Sequence, residues 1–94
     1  MSDRRAVHDA TGTIVTGIGA VLGLLDGLDK VFARALDDAR DRNDRDARRI
    51  ATKARVALSE KRRRVEAARV AVLDAGAFVD TMLTEIDRAV EVSA

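Results

Sequence analysis

The chain predicts an all-α fold, a long helical hairpin or bent helical rod with coiled-coil-like packing that is oligomeric. Three observations carry this. The 94 residues include no proline, 35% are charged, and the apolar content is almost wholly alanine, valine, leucine and isoleucine, with Phe32 and Phe78 the only aromatics. Such a composition belongs to long helices, whose thin cores need close spacing. The apolar residues also recur at helical intervals in both halves of the chain, and at this length a single domain buries little by itself. One helical domain spanning 1–94 is therefore expected, with helices at about 3–41 and 44–91.

The first helix can be capped by Ser2, with Asp3 placed where a negative charge meets the free amides of the first turn. A single stripe follows in 4-3 spacing: Val7, Thr11, Ile14, Ile18, Val21, Leu25, Leu28, Phe32, Ala35 and Ala39. Opposite that stripe lie Gly12, Gly19, Gly23 and Gly27, and residues 10–25 carry no charge at all. Each glycine inside a helix costs about 0.8–1 kcal/mol relative to alanine, so the series predicts either a second backbone at close range or a break near 23–27. Beyond Gly27 the opposite side turns polar through Lys30, Arg34, Asp37 and Asp41, giving an ordinary amphipathic helix.

The second helix shows a heptad seam of Leu58, Val65, Val72, Val79 and Ile86. At the alternate positions stand Ala54, Lys61, Ala68, Ala75, Met82 and Ala89, with Lys61 the one polar intruder. Between the helices, Asn43 reads as an N-cap followed by Asp44 and Asp46 in the first turn. A reversal there brings Leu25 near Arg62 and leaves Val79, Met82, Leu83 and Ile86 past the end of the partner helix. A reversal near Ala51 would instead match Leu25 to Phe78, against a local sequence that favours helix.

Charge is segregated. Residues 45–64 sum to +7 and residues 74–94 to −4, although the whole chain carries only +1. Lys61, Arg62, Arg63 and Arg64 are candidate anion contacts, yet the basic residues spread around the whole circumference of a helix, and no tyrosine or tryptophan is present to stack on bases. Nucleic-acid association is accordingly a third reading. A solvated basic surface that meets the acidic ends of neighbouring copies fits better.

With no cysteine, one histidine (His8) and carboxylates at surface spacing, the sequence offers no metal site, no cofactor and no small-molecule substrate, and an enzyme is not expected. The uncharged run of sixteen residues spans about 24 Å as a helix, short of the roughly 20 residues that cross a bilayer core. Location in the cytoplasm or within a particle or apparatus is expected over export by a cleaved signal. The expected function is structural: self-association, or packing on a larger assembly such as a virion, secretion apparatus or scaffold. The surface for it is Gly12, Gly19, Gly23, Gly27, the stripe Ile14, Ile18, Val21, Leu25, Leu28 and Phe32, and the seam Leu58, Val65, Val72, Val79, Met82 and Ile86. The alternative is a membrane-active helical protein whose N-terminal third inserts after oligomerising.

Overall fold

Two long helices, α1 (Ser2–Asp41) and α2 (Arg45–Ser93), fold back on one another as an antiparallel hairpin in a computed structural model that describes residues 2–93. The hairpin is a rod of 77 × 16 × 10 Å, with a radius of gyration of 21.7 Å. A compact chain of this length would have about 12 Å.

The reversal at Asn43 stands, but its chemistry differs from the sequence reading. Asn43 is not the N-cap of α2; it holds the left-handed conformation (φ 56°) that ends α1. The Asn43 amide donates to the Arg40 carbonyl at 3.1 Å and the Asp44 amide to the Ala39 carbonyl at 2.8 Å. That is the Schellman arrangement, for which asparagine is the usual substitute for glycine. Asp44 is the cap of α2, its Oδ1 accepting from the Ala47 amide at 3.0 Å. Asp46 then stands in the first turn, as expected. The capping role read for Ser2 concerns a side chain outside those described.

The register follows from this turn. Arg62 reaches Asp26 at 2.8 Å, and a Cβ placed on Gly76 would lie 2.9 Å from Thr11 Oγ1, so facing residue numbers sum to about 87. Two expectations are corrected. Helix α1 is continuous through 23–27, without a break. Met82 and Leu83 are not stranded, since they are half-buried and Arg4 donates to Thr84 at 3.1 Å, leaving the overhang to the residues that follow.

The contact between the helices is thin. Among the described residues only Leu22, Leu36, Ala39 and Ala51 are buried, and none of their side chains is fully enclosed. On α1 the half-buried line runs through Val7, Thr11, Val15, Ile18, Leu25, Asp29 and Phe32; on α2 through Ala47, Ala54, Arg55, Leu58, Arg62, Val65, Arg69, Val72 and Gly76. Half of the expected stripe is there. The other half is displaced by one residue on each helix: Val15, Leu22, Asp29 and Leu36 face α2 where Ile14, Val21, Leu28 and Ala35 were expected, and Arg62, Arg69 and Gly76 replace Lys61, Ala68 and Ala75, while Met82 and Leu83 are both half-buried. This displacement removes Lys61 from the seam and leaves it exposed.

Candidate self-association surface

An antiparallel pair of helices has two edges, where the flank of one helix meets the flank of the other. Near the turn, Leu36 and Arg40 share a groove with Arg48, Thr52 and Val56. The opposite groove is lined by Phe32, Ala35, Ala47, Ile50 and Ala51. Because a seven-residue step returns to nearly the same side of a helix, each groove identifies its whole edge.

From Leu36 the first edge continues through Asp29 and His8, and from Arg48 and Thr52 through Arg55, Arg62, Glu66, Leu73 and Asp80. The structure places every interhelical ion pair among the described residues along it. Arg55 grips Asp29 with Nε and NH2 at 3.0 and 3.3 Å. Arg62 bridges Asp26 at 2.8 Å and Glu66 at 2.6 Å. Arg4 lies 3.4 Å from Asp80 and His8 3.8 Å from the same carboxylate. The hydrogen bond from Arg55 holds the Asp29 carboxyl below its ordinary range, and the same bond pushes the Arg55 guanidinium up. Arg62 is likewise pushed up, first by its bond to Asp26.

From Ala35 the second edge runs back through Leu28, Val21 and Ile14, and from Ala47 and Ile50 forward through Ala68, Ala71, Ala75, Phe78 and Met82. Among the described residues no ion pair joins the helices here. Ile14 is 50% exposed, Val21 44% and Phe78 63%, and Leu24 at 62% projects beside them. Lys61 and Arg64 stand on this edge toward the turn, neither in an ion pair among the described residues. Val56, Val70 and Leu73 are exposed as well, the last two one helical turn apart, and Leu73 lies on the ion-paired edge.

The glycine side is a third surface. A Cβ added at Gly12, Gly19, Gly23 or Gly27 would meet nothing within 4 Å, so the α2 of the same chain does not fill that face; Gly17, on the flank of the apolar edge, is equally open. Gly76 alone is at close range, to Thr11. Of the candidate residues, Ile18, Leu25, Phe32, Leu58, Val65 and Val72 lie in the hairpin contact, whereas Ile14, Val21, Leu28, Val79 and Ile86 are exposed. Met82 is half-buried beside them. The candidate anion set does not converge: Arg62 is engaged by Asp26 and Glu66, and Arg63 and Arg64 point away from it, each one step of 100° further round the helix.

Sequence reasoning missed the exposed group Leu24, Val31 and Phe78 and the close approach at Gly76. A usable signal for the first was that apolar residues occur in adjacent pairs, such as Ile14 with Val15 and Val21 with Leu22, more than one contact line requires. The chain exposes 7338 Å², whereas a compact protein of 10.2 kDa exposes about 5,300 Å². Comparison with protein-family models, with curated proteins and with solved structures finds no match to this chain.

Proposed function

We propose that the chain is a non-enzymatic structural or assembly protein, which self-associates or packs on a larger partner within a virion, a secretion apparatus or a scaffold. One observation carries this reading: an edge crossing both helices leaves Ile14, Val21, Leu28 and Phe78 exposed while the opposite edge is stitched by ion pairs. Contiguous apolar surface of this kind marks interaction sites on stable proteins. The rod also exposes about 2,000 Å² more than a compact chain of its mass, comparable to the total area buried in a standard interface.

A second reading has its own support. Helix α1 is long and apolar enough, by length and composition, to cross a membrane, and only 6% of its most apolar 18-residue window is buried in the hairpin, unlike the core helix of a compact domain. In that reading lipid rather than protein covers the N-terminal third. Multi-angle light scattering in plain buffer and in mild detergent separates the two. A defined oligomer in buffer, unchanged by detergent, supports the assembly reading. Monomer in both conditions, with no uptake onto vesicles, would refute it.

A further inference from the structure

We infer that the partner on the apolar edge is a second copy of this chain, packed antiparallel so that two hairpins make a four-helix bundle. The inference rests on the assembly reading above and specifies its surface, partner and orientation.

The direction of the apolar stripe supports a bundle. In an isolated hairpin each helix should aim its apolar stripe straight at the other. Here half of the sequence stripe sits one residue, or 100°, away from the contact line, so its centre is rotated by about 50°. The rotation occurs on both helices, and both turn toward the same edge: Val21 and Leu28 on α1, Ala68 and Ala75 on α2. A helix in a square bundle aims at the bundle axis, about 45° from the direction of its neighbour. Two more helices are therefore needed, and a second hairpin supplies them.

Charge sets the orientation. The turn half of the hairpin, residues 26–64, carries +5, and the remaining residues, which form the open half, carry −4. Parallel hairpins would superpose like charges along the rod, whereas antiparallel ones place each basic half beside an acidic one. The unpaired Lys61 and Arg64 then face the acidic C-terminal part of the partner copy.

Small residues set the position. With facing numbers that sum to about 87, Gly17 and Ala71 lie at the same height, midway between the exposed Ile14 and Val21 of α1. A two-fold axis there lets the backbones meet at their narrowest point and brings Ile14 of one copy against Val21 of the other.

The test is sedimentation and light scattering of the full chain, with circular dichroism on every variant. Twice the 10.2 kDa chain mass is expected in plain buffer. Val21→Asp and Phe78→Asp should each weaken the dimer about a hundredfold while leaving the chain helical, because each buries a charge at the edge. Leu73→Asp, on the ion-paired edge, should leave the mass unchanged. Spin labels at Arg42→Cys should lie about 75 Å apart in the antiparallel dimer, from 1.5 Å of rise per residue. Labels within about 30 Å would overturn the orientation. An oligomer that survives both edge substitutions and yields to Gly23→Leu would overturn this edge while sparing the assembly reading. A helical monomer in buffer overturns the second copy, and monomer in detergent too, with no uptake onto vesicles, removes the assembly reading with it.

Discussion

The two edges of this hairpin are built from the same pair of helices and face the same solvent, yet one is closed by guanidinium–carboxylate pairs and the other is left apolar. The difference shows that the ion pairs fix how the helices lie against each other without enclosing a core. Arg55 on Asp29 and Arg62 on Asp26 set the register, and partly exposed pairs of this kind add little stability. Enclosure is left to the other edge, where Ile14, Val21, Leu28 and Phe78 have the area to supply it.

The sharpest test of that contrast uses neighbours in sequence. Leu22 is 7% exposed in the hairpin contact and Val21 is 44% exposed on the edge. Leu22→Ala should destabilise the chain by about 2–3 kcal/mol at any protein concentration, because it opens a hole in a core of four residues. Val21→Ala should cost well under 1 kcal/mol in dilute monomer, and should lower the melting temperature mainly where the chain associates. Equal costs in thermal melts followed across a concentration series would mean that the edges do not differ in kind.

A second comparison sets Gly76 against Gly23. Gly76 faces Thr11 at a distance no Cβ tolerates, while Gly23 faces open space. Gly23→Ala should stabilise the helical state by about 0.5–1 kcal/mol in the dissociated chain, through helix propensity alone. Gly76→Ala should gain none of this, because the β-branched Thr11 must leave its rotamer. Adding Thr11→Ala should restore the gain, a coupling that a double-mutant cycle in denaturant melts would measure. Stabilisation by Gly76→Ala alone would place the helices further apart than the structure does.

Much of this fold is legible in the residues. The absence of proline, the heptads of α2 and the poor helix formers around Asn43 identify two helices and their turn. The shared positions Thr11, Ile18, Leu25 and Phe32, with Leu58, Val65 and Val72, follow from spacing alone. What spacing cannot choose is which neighbour completes the line. Ile14 and Val15 are both apolar, as are Val21 and Leu22, so the two candidate stripes are equally hydrophobic and differ only in where the partner helix lies. The ionic residues held the answer: Asp29 with Arg55 and Asp26 with Arg62 match in charge only if the reversal falls at 42–44, and they draw the ion-paired edge. The N-cap falls on Asp44, one residue past Asn43; both residue types cap helices, and only the positive φ at Asn43 separates them.

The smallest expected effect concerns the ionic edge in acid. The Arg55 hydrogen bond lowers the Asp29 pKa below its ordinary value of 3.8, so the folded chain binds this proton less readily than the unfolded one. The pair's contribution to stability is therefore fully present above the ordinary carboxylate range and is lost as pH falls through the lowered folded value. Arg55 is shifted the other way, upward, so its contribution is complete throughout the acid range and adds no slope there. Thermal melts from pH 6 down to about pH 2 should show stability declining at the acid end, with Asp29→Asn removing part of the decline and leaving the apolar edge untouched. An Asp29→Asn chain that melts with the same acid slope as the parent would show that this pair is open in solution, and that the register is held by Arg62, Gly76 and the turn alone.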